Sequence, residues 1–157
     1  MKKYAFQIKI ILMVMLLGFI VYDIGRDESS SVGIESVTKE VLEAAKMKDA
    51  VPAEERMVKR FYGLNPRDYE GAVLIAPKDN MDVHEMFLVK LKDVSQADGV
   101  KSAIEERLHT QTVSFEGYGA EQTALLKAHV LEVKGNYVFF MVGENATAAH
   151  KAFLESL

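Results

Sequence analysis

Apolar positions recur along the chain in three rhythms, and each rhythm predicts its own kind of element. Ile10 to Tyr22 is apolar without a charge, which predicts a helix greasy on every side. Helical spacing follows in "IESVTKEVLEAAKMKD", where Val37, Val41, Ala44 and Ala45 share a face and Ser36 is the expected cap. "PAEERMVKRFYG" predicts a second helix, with Pro52 in its first turn, acids early, bases late and Gly63 as its stop. Its Met57, Val58, Phe61 and Tyr62 face the core. "AVLIAP" is a continuous apolar run and predicts a fully buried strand closed by Pro77. "EMFLVKLK" alternates, with Glu85, Phe87, Val89 and Leu91 on one face and Met86, Leu88, Lys90 and Lys92 on the other.

A long helix is expected from about Ser95 to Glu116 and a shorter one from Ala120 to Lys127, parted by Gly117 and Gly119. "HVLEVKGNYVFFMV" predicts two strands joined by a two-residue turn at Gly135-Asn136. "NATAAHKAFLESL" closes the chain as a helix packing Ala149, Phe153, Leu154 and Leu157. Asn145 reads there as a helix cap rather than a glycosylation site. Two hairpins separated by helices predict an α+β fold: a four-stranded, mostly antiparallel sheet covered by helices on one face, after an N-terminal transmembrane helix.

Charge gives the first segment an address. Lys2, Lys3 and Lys9 precede the apolar core, while Asp23, Arg26, Asp27 and Glu28 follow it. Residues 5–24 are about long enough to span a bilayer if Lys9 snorkels, and the residues after Tyr22 make a poor cleavage site. The expected division is a cytoplasmic tip at 1–4, a signal anchor at 5–24, a flexible linker at 25–35 and an extracytoplasmic domain at 36–157. The lipid bilayer is then the first partner, the protein a single-pass cell-membrane protein with its N-terminus in the cytoplasm. Setting aside those three lysines and Asp23 leaves 16 basic and 22 acidic side chains, a net charge of −6. An acidic domain is a poor partner for nucleic acid, which is excluded. The chain has no cysteine, so disulfides, thiolate metal sites, a cysteine nucleophile and lipoprotein acylation are excluded too.

One helix carries residues that a plain core would not choose. Projected at about 100° per residue, Ala97, Ile104, Leu108 and Phe115 of the long helix form a stripe. Arg107, Gln111 and Tyr118 line its side. A half-buried guanidinium requires a partner, and Glu85 shares the strand face expected to meet this helix. The pattern therefore predicts an Arg107–Glu85 pair, with Gln111 and Tyr118 completing the hydrogen bonding. Two uses are open to such a cluster: a structural tie between helix and sheet, or the wall of a pocket for a carboxylate or phosphate.

Other chemistry is sparse. A zinc site from Asp82, His84 and His129 lacks any established ligand spacing, so no metal or other cofactor is expected. Phosphate-binding, dinucleotide-binding and serine-nucleophile motifs are absent from the sequence. His109 and His150 read as solvent-exposed, and His129 as packed. The expected function is a non-enzymatic binding or envelope-assembly module that takes a small anionic ligand or another envelope protein. The alternative is a cell-wall or extracellular hydrolase using Glu85 with His84 or His129.

"HEMFLVKLKD", "RLHTQTVSFEGY", "GNYVFFMV" and the terminal helix together resemble an uncharacterised family, domain of unknown function 4358. Its members are small extracytoplasmic proteins of Gram-positive bacteria, many of them lipoproteins. The resemblance covers roughly Val37 to Leu157. It implies an exported, membrane-tethered domain and places Glu85, Arg107, Gln111, Phe115 and Tyr118 in the family's recurring pattern. It supplies no reaction. This chain lacks the lipoprotein cysteine, which leaves a helical anchor as the implied tether.

Overall fold

The computed structural model describes residues 12–17 and 29–157. The elements are α1 (Ile34–Ala44), α2 (Glu55–Tyr62), β1 (Gly71–Ile75), β2 (Glu85–Lys90), α3 (Ala97–Phe115), α4 (Ala120–Lys127), β3 (Val130–Lys134), β4 (Tyr137–Val142) and α5 (Ala146–Ser156). Short 3₁₀ turns at Pro66–Asp68 and Val94–Gln96 lead into β1 and α3. The fold is α+β, and its four strands run in the order β1-β2-β4-β3 with every neighbouring pair antiparallel. β1–β2 and β3–β4 are the two expected hairpins. Gly135 takes a left-handed φ of 55° at the first position of the β3–β4 turn, the conformation a tight hairpin of this kind requires.

Helices cover both faces of the sheet, not one. Phe87, Val89, Val138 and Phe140 pack with Val58, Val100, Ile104 and Leu126, which belong to α2, α3 and α4. Met86, Leu88, Phe139 and Met141 point the other way and pack with Val37 and Val41 of α1 and Ala149 and Phe153 of α5. The reason lies in the two central strands, where all six residues of β2 and all six of β4 are buried. A strand apolar on both faces needs a cover on both faces. β1, by contrast, is an edge strand whose first three residues are only partly buried, so "AVLIAP" is not the fully enclosed strand its apolar run predicts.

Three local expectations change. α1 takes Gly33 rather than Ser36 as its cap residue and starts at Ile34, which is already buried beneath it. Asn145 holds the expected N-cap position of α5 but makes no cap bond with its side chain; its amide donates to the Ala45 carbonyl at 3.2 Å and ties α5 to the end of α1. The end of the expected linker is docked rather than loose. The Ser30 N–H donates to Asn136 Oδ1 at 2.8 Å and the Tyr137 hydroxyl donates to the Val32 carbonyl at 2.6 Å. Burial pushes the Tyr137 hydroxyl up to about 12, which keeps it a donor. Gly63 does stop α2, at φ 67°, donating to the Lys59 carbonyl.

The cytoplasmic tip and most of the anchor at 5–24 lie outside the described residues. The part within them, residues 12–17, is helical with exposed side chains. Among the described residues no helix is long and apolar enough to cross a membrane.

Candidate functional site

Strand alternation and helix periodicity together decide where Glu85 goes. It opens β2 on the face of Phe87 and Val89, beneath α2 and α3, and is fully buried. An ionised carboxylate there needs donors on both oxygens. α3 supplies Arg107, whose Nη2 lies 2.8 Å from Oε2 and whose Nε lies 3.4 Å from Oε1. α2 supplies the second donor: the Tyr62 hydroxyl bonds Oε1, and its ring stacks on Phe87 at 4.3 Å between centroids. Burial, with the Glu85 carboxylate beside it, pushes the Tyr62 hydroxyl well above its ordinary range. The phenol therefore remains a proton donor to Glu85.

The guanidinium is held from a second side as well. Its central carbon sits 4.0 Å from the centroid of the Phe61 ring, a cation–π contact. Arg107 nevertheless keeps 17% of its side-chain surface exposed, so it is a fixed charge at an opening rather than a sealed one. On one side of it lies a recess of about 480 Å³, lined among others by Arg60, Asp79, Arg107, Gln111 and Ser114. That is ample for a small ligand.

Of the four residues expected to act together, the structure joins Glu85 and Arg107. Gln111 is buried, 7% exposed, but does not bond either of them, and its Oε1 has no partner among the described residues. It lines the recess one turn further along α3. Tyr118 is not in the cluster. It is 67% exposed and tilts against Phe115 at 5.9 Å. α3 ends at Phe115, Glu116 is extended and Gly117 has φ 92°, so a helical projection carried past Phe115 misplaces whatever follows. Tyr62, whose spacing marks it only as core, takes the place expected of Tyr118.

The histidines fall elsewhere. His84 precedes β2 and faces away from Glu85, across the sheet. Its Nδ1 lies 2.6 Å from Asp82 and its Nε2 2.9 Å from Glu144. Carboxylates on opposite ring nitrogens clamp an imidazole rather than converge on one ion, and no metal-holding group of three occurs among the described residues. His129 is distant in role as well, with its Nδ1 2.7 Å from the Leu126 carbonyl and its ring against Phe140. The geometry thus pairs neither histidine with Glu85 as an acid–base couple. His150 is not simply solvent-exposed; it stacks on Phe139 at 6.1 Å.

The clamp has a pH signature. Burial works against a charged His84, yet its hydrogen bonds to Asp82 and Glu144 raise its pKa above the ordinary 6.5. Burial also opposes ionisation of Asp82, but backbone donors from Lys78 and His84 and the His84 ring hold its carboxyl below 3.8. A backbone donor and then the His84 ring lower Glu144 from 4.5. A raised histidine stabilises fully below its unfolded value and fades as pH rises through its folded one. The carboxylates contribute above their unfolded values and fade as pH falls through the lowered ones. The clamp is therefore strongest between the two ranges. His84→Gln should lower the melting temperature more at about pH 5.5 than at about pH 8.5. Equal losses at both would show that the ring's charge contributes nothing.

No match is found among the curated proteins or the solved structures. A family model described as "Domain of unknown function (DUF4358)" matches residues 43–143, from the end of α1 to the turn after β4. Tyr62, Glu85, Arg107 and Gln111 all fall within it. With well over half of its length matched, the chain belongs to this family of domains of unknown function.

Proposed function

We propose that the protein is a membrane-anchored, extracytoplasmic binding module whose site is the recess beside Arg107, and that it binds a small anionic group without turning it over. One observation carries the reading: a guanidinium fixed by Glu85 and Phe61, with Tyr62 holding the same carboxylate, still opens onto a recess of about 480 Å³. Pre-set orientation is what makes a planar guanidinium an effective receptor for carboxylate or phosphate, because little freedom is left to lose on binding. Arg60 lines the same recess and has no ion-pair partner among the described residues, which adds an uncommitted positive charge. Both oxygens of Glu85 are engaged by Tyr62 and Arg107, an arrangement suited to holding rather than to proton transfer. The extracytoplasmic address is supported by Lys2, Lys3 and Lys9 ahead of the apolar run, and the bilayer is the partner of that run.

Address and binding can be tested on one variant. The chain has no cysteine, so Val51→Cys, at a position 81% exposed, provides a single label site. In intact cells a membrane-impermeant maleimide should label it, whereas labelling only after lysis would place the domain inside. The same full-length protein in detergent should be stabilised against heat by acetate or inorganic phosphate in a saturable way. Absence of any saturable shift would remove the anionic-ligand reading.

A further inference from the structure

Resting on the membrane-anchored reading, we infer that the sheet end with the β3–β4 turn faces the bilayer and that the Arg107 recess opens away from it. The recess then takes its anion from the aqueous side, not from headgroups of its own membrane. The observation behind this is where the chain coming from the anchor is fastened. The Ser30 N–H donates to Asn136 Oδ1 at 2.8 Å, and the Asn136 amide donates back to the Ser30 carbonyl at 3.3 Å. The Ser30 hydroxyl donates to the Leu157 main-chain oxygen at 3.4 Å, and the Tyr137 hydroxyl donates to the Val32 carbonyl at 2.6 Å. All four bonds fall at one end of the sheet.

The recess is at the other end. Tyr137 pairs with Lys90 where the chain is fastened, and Glu85 pairs with Val142 at the far side of the same two strands. Five residues of β2 separate Lys90 from Glu85, about 17 Å of strand. The recess is walled there by Pro77, Lys78, Asp79 and Asn80 of the loop between β1 and β2, at the Glu85 end. The helices agree with the strands. α1 departs from the fastened segment, and α5 returns to it at Leu157.

Chain length then sets the orientation. Ser30 is six residues beyond Ile24, where the expected apolar span closes, and six residues reach about 20 Å at most. A chain loose as far as Glu35 would reach roughly twice as far. To turn the recess toward the lipid, the tether would have to cross about 6 Å of headgroups and then run about 17 Å beside the sheet. That exceeds its reach. Lying on a side is opposed by charge, because the domain carries a net −6 and a surface with anionic lipid repels it. Repulsion pushes the domain out to the limit of a tether fixed at one end, which leaves that end nearest the bilayer.

Single labels test this in the full-length chain, which has no cysteine of its own. Val94→Cys, 52% exposed, marks the fastened end, where the Leu91 N–H donates to the Asn136 carbonyl at 2.8 Å. Met81→Cys, 55% exposed, marks the loop at the recess. Each variant carries a fluorophore and is reconstituted in vesicles of phosphatidylcholine and phosphatidylglycerol, some of whose headgroups bear a quenching spin label. Quenching should be severalfold stronger at position 94 than at position 81. Asn136→Ala, which frees Ser30, should bring the two values together, and Tyr137→Phe, which loses one hydroxyl, should act in the same direction. Equal quenching, stronger quenching at position 81, or a difference that survives both changes would overturn the inference. Stabilisation by inorganic phosphate should be the same with and without phosphatidylglycerol; a smaller shift with it would put a headgroup in the recess and overturn the inference too. Protein that floats with the vesicles but is quenched at neither position keeps its anchor and loses the orientation. Protein that does not float with them removes the anchor reading itself, and the orientation with it.

Discussion

Arg107→Met is expected to lower the unfolding free energy by about 3–5 kcal/mol, among the largest effects of any single change outside the apolar core. Methionine fills much of the same volume, so the loss is not one of packing. It comes from Glu85, which stays fully buried with only the Tyr62 hydroxyl to hold it. The carboxylate then takes up a proton or draws in water, and either route costs folding free energy. Denaturant titration at neutral pH reads the loss. Tyr62→Phe should have a smaller effect, about 1–3 kcal/mol, because it removes one donor and leaves the guanidinium in place. A loss below about 1 kcal/mol for Arg107→Met would mean the pair behaves as a solvated surface contact.

Phe139→Ala should cost a similar amount, about 3–5 kcal/mol, and it probes the other side of the sheet. Phe139 is fully buried and stacks on Phe153 of α5 at 5.0 Å, with His150 on the same ring. Were helices confined to the face of Glu85, this side chain would meet solvent and its truncation would change stability by only a few tenths of a kcal/mol. A large loss, with Phe140→Ala on the opposite face giving another, is the signature of a sheet buried between two helical layers.

The pairing of Glu85 with Arg107 was legible in the chain because two regular elements carry it. Strand alternation assigns Glu85 to the face of Phe87 and Val89, and helix periodicity puts Arg107 at the rim of the stripe that packs there. Both periods run unbroken between the residues concerned. Tyr118 was not legible by the same means, because Gly117 interrupts the helix between it and the stripe. A glycine immediately before a projected contact is the warning.

Tyr62 lies in an apolar run whose ring satisfies the pattern, so its spacing announces a core residue and is silent about the hydroxyl. The signal that does exist is chemical: a buried phenol seeks a partner, and a buried carboxylate has two oxygens to satisfy where Arg107 was the one donor in view. The second helical layer was also written in the sequence, in Val138, Phe139, Phe140, Met141 and Val142, which leave β4 no polar face. An alternating strand such as β2 conceals this, since Lys90 looks like a solvent residue. In the fold it is buried and extends to Glu70 at 2.7 Å. Long-range docking of Ser30 and Val32 onto Asn136 and Tyr137 had no local signal, being a contact between segments more than a hundred residues apart.

Everything proposed for the recess depends on Arg107 being held by Glu85, and a double-mutant cycle measures that directly. Arg107→Met, Glu85→Leu and the double variant should show a coupling of at least about 1–2 kcal/mol, the double variant losing less than the sum of the two single changes. Strictly additive losses would contradict the account, leaving the guanidinium without its anchor and the recess without its fixed charge.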